Sequence, residues 1–207
     1  MSLEAQLNLY KRIKALAEVG LVYAQNGYDE ERYEELRQIA LQLMANSAKQ
    51  PIQGFSDFFM PQEDYPTPKV DVRGLVLNDE DEILLVKERI DGKWTIPGGW
   101  GDIGFTPSEV IIKEIAEETN LQAEVVRLLA IYDKRCHSHP PQPFYVYKLN
   151  FLCKVTGGEL KPSFDIEDVG YFPLSKLPEL SEDRILKSQV QQLFQLAKSD
   201  DGKVYFD

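Results

Sequence analysis

Apolar residues recur along this chain with a helical period at both ends and a strand-like period between them. From about Glu4 to Ala24, Leu9, Ile13, Leu16 and Ala17 fall at helical spacing. Asn26-Gly27 breaks the run, and from about Asp29 the spacing returns in Tyr33, Leu36, Ala40, Leu43 and Met44. Two helices are predicted, each with one apolar stripe. Such a pair makes a poor core alone, so the stripes are expected to pack on the rest of the chain or on a second copy of it. A connector follows from about Pro51 to Lys69. Its Phe55, Phe58 and Phe59 are too apolar for a loose linker and are expected to pin the helical unit to a partner surface.

Beyond Val70 the pattern changes. Val70 to Leu77 and Ile83 to Lys87 read as the arms of a hairpin around an Asn78 to Asp81 turn. Glu124 to Tyr132 and Phe144 to Val155 read as two long strands, joined by DKRCHSHPPQP and closed by a Gly157-Gly158 turn. In the second, Tyr145, Tyr147, Leu149 and Phe151 alternate with Val146, Lys148 and Asn150, which suits a strand with one buried face. A short strand near Val169 to Phe172 follows. Ile185, Leu186, Val190, Leu193, Phe194 and Ala197 then mark a helix from about Arg184 to Lys198. Mixed strands between helices predict an α/β sandwich with a mixed sheet, preceded by a small all-helical N-terminal domain. The expected division is 1–60 for the helical domain, 61–69 for the connector and 70–207 for the α/β domain.

Composition narrows the partners. With 207 residues, 43% of them hydrophobic, the chain can bury a core, and its net charge of −11 argues against a life on nucleic-acid phosphates or anionic membranes. Acids outnumber bases in the helical unit as well, so no basic stripe for DNA emerges there. Lys11, Arg12 and Lys14 interrupt the N-terminal apolar run, so neither a signal core nor a membrane span is expected. Cys136 and Cys153 are too few for a disulfide framework, and a cytoplasmic setting follows.

The chemistry is concentrated between Trp94 and Leu121, WTIPGGWGDIGFTPSEVIIKEIAEETNL. Thr106 and Glu109 have capping-box spacing and Pro107 sits where a missing N–H is harmless, so a helix begins there in a fixed register. In that register Glu114, Glu117 and Glu118 crowd one face, while Val110, Ile111 and Ile115 can pack inward. A solvated acidic face is the commoner meaning of such a cluster. Here it follows Pro97, Gly98 and Gly99, a turn whose backbone can come close to whatever the acids hold. Carboxylate oxygens and a backbone carbonyl suit a hard divalent cation, Mg2+ or Mn2+.

Gly99, Glu114, Ile115, Glu117, Glu118 and Leu121 match the Nudix box, and the stretch resembles that family, with Phe105, Lys113 and Asn120 standing where the box has glutamate, arginine and glycine. The amino-terminal helices and TPK connector are similar to those of the subfamily that acts on nucleoside diphosphates linked to another moiety, ADP-ribose and CDP-choline among them. The resemblance implies a Nudix-type α/β/α sandwich over about Val70 to Ala197. It also implies Glu114, Glu117, Glu118 and the Gly98 carbonyl as metal ligands, with Mg2+ or Mn2+ as cofactor. Glu117 would take a proton from water, and Lys113 would balance charge in the cluster. The helical unit would make a homodimer. A nucleoside diphosphate derivative would be the partner, with no membrane and no DNA. The alternative is a Nudix-fold sensor that binds such a ligand without turning it over.

Other positions are candidates for substrate contact. Gly99 and Trp100 adjoin the acids, Lys134 and Arg135 could supply local positive charge, and Trp100 or Tyr132 could stack on a base, although aromatic residues in this chain are more often core. His139, with His137 and Cys136, sits in a Pro-stiffened loop that could touch substrate; zinc is disfavoured, because a fourth ligand at sensible spacing is missing. Asp165, Glu167 and Asp168 lie where Nudix proteins often add an acid, so Asp168 is included.

Overall fold

The computed structural model describes residues 3–48, 68–140, 145–199 and 201–207. Two compact units are present, Met1–Pro66 and Thr67–Asp207. The expected aromatic pin at Phe55, Phe58 and Phe59 lies outside the described residues, as does the predicted strand start at Phe144.

In the first unit, α1 (Leu3–Tyr23) and α2 (Gly27–Ala48) form an antiparallel pair. Asn26 starts α2 by accepting the Asp29 N–H on its side chain at 3.0 Å. The two helices meet closely because Gly20 lies under the Tyr33 ring, where a Cβ would stand 2.3 Å from the ring. Ala17, Ala40, Leu41 and Met44 are buried, whereas Leu9, Leu16, Val19, Val22 and Ile39 stay exposed. One apolar stripe therefore closes within the pair and a second remains open.

Among its described residues the second unit holds eight strands: β1 (Lys69–Val76), β2 (Ile83–Glu88), β3 (Trp94–Thr95), β4 (Gly98–Trp100), β5 (Leu121–Asp133), β6 (Val146–Gly158), β7 (Ile166–Phe172) and β8 (Tyr205–Phe206). Its helices are α3 (Pro107–Thr119) and α4 (Lys187–Lys198). A mixed five-stranded sheet runs β4-β1-β6-β5-β8, with β1 parallel to β6 and antiparallel to β4. A three-stranded antiparallel sheet runs β3-β2-β7.

β1 and β2 do not make the expected hairpin. Asn78 does turn the chain, accepting N–H groups from Glu80 and Glu82 on its side chain, but pairing stops after the single Leu77–Ile83 bridge. The reason is occupancy: β4 and β6 take both edges of β1, so β2 must join another sheet. The sequence sign was the continuous apolar run Ile83-Leu84-Leu85-Val86 of β2, which marks a strand covered on both faces and not the outer arm of a hairpin.

Apolar side chains form two layers. Val72, Val76, Leu84 and Phe151 pack against Val110, Ile111 and Ile115 of α3, and Leu75, Ile83, Leu85, Leu129 and Tyr132 pack against Val190 and Leu193 of α4. Gly74 lets α3 approach β1, because a Cβ there would meet Ile111 at 2.9 Å. Tyr132 is fully buried and bonds Gln192, so it cannot stack on a ligand. The start of β6 buries Val146, Lys148 and Asn150 and exposes Tyr145 and Tyr147, against hydrophobic expectation. Gly157 and Gly158 end β6 and make no hairpin turn of their own. Ile185 closes a turn onto Ser181 and Leu186 is extended, so α4 begins at Lys187, later than expected.

Candidate active site

The register of α3 is fixed at both ends. Thr106 accepts the Glu109 N–H on its hydroxyl at 3.2 Å while the Glu109 carboxylate accepts the Thr106 N–H at 2.7 Å. At the far end Asn120 adopts φ 59°, its N–H donates to the Ala116 carbonyl, and its amide donates to the Glu159 carbonyl at 2.9 Å. Between these stops the three glutamates separate. Glu118 is buried, Glu114 is half-buried, and Glu117 points outward with its side chain 59% exposed.

The glycine turn meets the inward pair. Glu118 accepts the Gly98 N–H on Oε2 at 3.0 Å, and the Glu114 carboxylate lies so close to Gly99 that a Cβ there would stand 2.6 Å from Oε1. Gly98 has φ +141°, and a Cβ on it would fall 2.0 Å from the Val72 carbonyl. Only glycine fits both constraints. Burial pushes Glu118 up to about 8, with the Glu114 charge adding to it. Burial and then Glu117 push Glu114 up to about 7. Two carboxylates held with too little positive charge are a suitable environment for a cation. Among the described residues no group of three or more His, Cys, Asp or Glu is arranged to hold one, so the protein offers two inward carboxylates and backbone oxygen, not a closed cage. Such a donor set fits Mg2+ or Mn2+, which keep several waters and share a substrate's phosphates, better than a caged structural ion.

These acids form one wall of a cleft of about 680 Å³, a size suited to a nucleotide-like ligand. Gly98, Gly99, Trp100, Asp102, Lys113 and Lys134 also line it. Lys113 donates to Asp102 at 2.9 Å, stands 3.8 Å from Glu117, and lies 5.6 Å from the centroid of the Phe105 ring. Phe105 itself packs against the core under α3. The Trp100 ring has the Lys69 ammonium 5.4 Å from its centroid.

Four expected contacts lie elsewhere. Glu117 faces solvent. Arg135 is exposed and bonded to Asp133. Asp168 caps its neighbour Val169 within β7, and adjacent Glu167 pairs with Lys87. His139 bonds the Glu182 carbonyl at 2.6 Å and His137 bonds Asp207 at 2.9 Å, with no shared centre for zinc. Burial lowers His139 to about 4, so it is neutral at physiological pH.

Sequence reading missed the floor of the cleft. Asp71 and Arg73 on β1 and Lys148 on β6 are buried together. Arg73 donates to Asp71 through Nε at 3.0 Å and reaches the Ile96 carbonyl through Nη1 at 3.3 Å, while the Lys148 ammonium also pairs with Asp71. Burial opposes ionisation of Asp71, but the two cations outweigh it and hold the carboxyl at about 2. The available signal was charged residues two apart inside otherwise apolar strands, a spacing that puts both on one face.

Comparison with known proteins agrees with this architecture. A family model described as the UDP-X-like, N-terminal oligomerisation domain matches residues 4–59, and the NUDIX domain model matches residues 67–193. The chain is 41% identical over 197 residues to the "Putative ADP-ribose pyrophosphatase YjhB" of Bacillus subtilis, covering 95% of this chain and 94% of that one. It is 34% identical over 135 residues to the ADP-ribose pyrophosphatase of Methanocaldococcus jannaschii, covering 61% of this chain and 76% of that one. A solved UDP-X diphosphatase aligns over the whole of both chains with TM-score 0.67 and 33% identity.

Proposed function

The chain belongs to the Nudix hydrolase family, and from that premise we propose that it hydrolyses the pyrophosphate bond of a nucleoside diphosphate linked to another moiety. The products are a nucleoside monophosphate and the phosphorylated second moiety, and Mg2+ or Mn2+ is required. ADP-ribose, CDP-choline and UDP-linked compounds are the substrate class to test. The observation that carries this reading is the inward pair Glu114 and Glu118 against the Gly98-Gly99 turn, short of positive charge beside a cleft of suitable size.

In this reading Glu114, Glu118 and the Gly98 carbonyl hold the cation. When bound, a divalent cation supplies charge neutralisation at the phosphoryl oxygens and a more acidic water. Glu117 does not line the cleft in this structure but stands beside its rim, 3.8 Å from Lys113, and from there its exposed carboxylate takes the proton of the attacking water. Lys113, between Asp102 and Glu117, balances the charge of the rim. Trp100 supplies an apolar face at the cleft mouth and Lys134 a cation inside it. The open stripe of Leu9, Leu16, Val19 and Ile39 supports a homodimer through the helical unit. No helix among the described residues is long and apolar enough to cross a membrane, and the two free cysteines suit a reducing cytoplasm.

The experiment is a panel of ADP-ribose, CDP-choline, nucleotide sugars, diadenosine polyphosphates and nucleoside triphosphates, assayed with Mg2+, with Mn2+ and with chelator. Metal-dependent release of a nucleoside monophosphate from a diphosphate-linked compound is the expected result. Tight binding of one compound without any metal-dependent product would make the protein a sensor and overturn the proposal.

A further inference from the structure

The cleft is bipolar, with the acid wall of α3 on one side and basic side chains on the other. Across β1 from Gly98 stands a second group of charges with the opposite imbalance. Lys148 is 2% exposed, Arg73 6% and Lys134 8%, and among the described residues Asp71 is the carboxylate ion-paired with both Lys148 and Arg73, with Glu118 and Glu88 acting on Arg73 at longer range. Lys134 donates to the backbone carbonyl of Asp183 at 2.7 Å, and among the described residues it forms no ion pair. Burial strips each cation of hydration, and a carboxylate shared between two of them offsets that loss only in part. All four residues line the cleft, so the uncompensated charge faces an open space and not a sealed core.

The sheet fixes where this charge lies. Arg73 is in register with Gly98 on one side, and Asp71 with Lys148 on the other. Neighbouring strands are about 4.8 Å apart, so the glycine turn and Lys148 are separated by roughly 10 Å of backbone, with Arg73 between them. Their side chains narrow that gap from both ends. An anion that extends from the acid wall across Arg73 meets Lys148 next. Arg184 is a weaker candidate for such a contact, because Glu88 and Asp91 already hold its guanidinium.

We infer that Lys148, supported by Lys134, binds the phosphate group of the diphosphate that the acid wall does not hold, with Asp71 and Arg73 as positioning residues. This inference rests on the reading that a nucleoside diphosphate derivative occupies the cleft. It makes the chain selective for ligands with two linked phosphates over those with one, because a monophosphate seated at the acid wall leaves Lys148 unpaired. A charge-assisted hydrogen bond of this kind changes affinity by about 10- to 100-fold.

The test compares dissociation constants of α,β-methylene-ADP and AMP by titration calorimetry, with Mg2+ present, for the full chain and its Lys148→Met and Lys148→Arg variants. Lys148→Met is expected to weaken the diphosphate probe by about 10- to 100-fold and AMP by less than about 3-fold, and Lys148→Arg to restore much of the difference. Equal weakening of both probes, or no change, overturns the inference. Should Lys148→Met not fold, Lys134→Met measured in the same way must lower the diphosphate preference, and an unchanged preference overturns it equally. Wild-type protein that binds neither probe would refute the parent reading, whereas wild type that cleaves its substrate while Lys148→Met keeps full diphosphate preference would refute this inference alone.

Discussion

Replacing Glu118 by glutamine should make the metal-free protein more stable while abolishing its activity. Glu118 is 7% exposed, and its Oε2 accepts the Gly98 N–H, a bond that a glutamine oxygen can also accept. Burial first, then the Glu114 charge, raises the carboxyl from 4.5 to about 8. Between those values the folded chain holds a proton that the unfolded chain has released, so stability from this group falls as pH rises. At about 1.36 kcal/mol per unit, the penalty is near zero at pH 4.5 and roughly 3 kcal/mol at pH 7. Glutamine carries no such penalty. Calorimetric melts of chelator-treated protein from pH 5 to 8.5 should therefore show Glu118→Gln and wild type converging in acid and separating by roughly 10 °C near neutrality. Added Mn2+ should narrow the gap by stabilising wild type, since a ligand of the native state adds to its stability. A variant no more stable than wild type at pH 8, or a gap indifferent to pH, would refute the reasoning.

Other perturbations separate structure from chemistry. Gly99→Ala places a methyl 2.6 Å from Glu114 Oε1; the flexible carboxylate can move aside, so melting should change little while turnover falls by about 100-fold, measured as kcat. Asp71→Asn leaves Arg73 and Lys148 without their carboxylate and should destabilise the catalytic unit by about 3–5 kcal/mol in urea titration at pH 7. Because the Asp71 carboxyl is depressed from 3.8 to about 2, the part of its contribution that depends on ionisation is present above pH 4 and is lost as pH falls through 2, so the gap between variant and wild type should narrow by roughly 2 kcal/mol in strong acid. Light scattering at micromolar concentration should report a dimer, and a monomer would contradict the role given to the open stripe of α1 and α2.

The parts of this molecule written in short-range chemistry were legible in the chain. Thr106, Pro107, Glu109 and Asn120 stop and start α3 through contacts within a few residues, and that alone phases Glu114 and Glu118 toward the Gly98-Gly99 turn. The phasing did not say how deeply each acid would lie, because Glu117 is turned outward by packing of the opposite face on β1 and β6. The partition of β1 and β2 into different sheets was not legible, since it depends on β4 and β6 claiming both edges of β1. The cleft floor was hidden for a related reason: Asp71 and Lys148 become partners only when strands 77 residues apart in the chain align in parallel. Hydrophobicity even pointed the wrong way there, as Tyr145 and Tyr147 are exposed so that Lys148 can be buried.

The proposed chemistry requires that the inward face of α3, opposite the glycine turn, bind divalent cations. Anomalous scattering from crystals soaked in Mn2+ and a non-hydrolysable diphosphate analogue tests it most directly. Manganese should lie in contact with the Glu114 and Glu118 carboxylates and with phosphate oxygen. Manganese found elsewhere, or nowhere, with the analogue bound and both carboxylates bare, would contradict it.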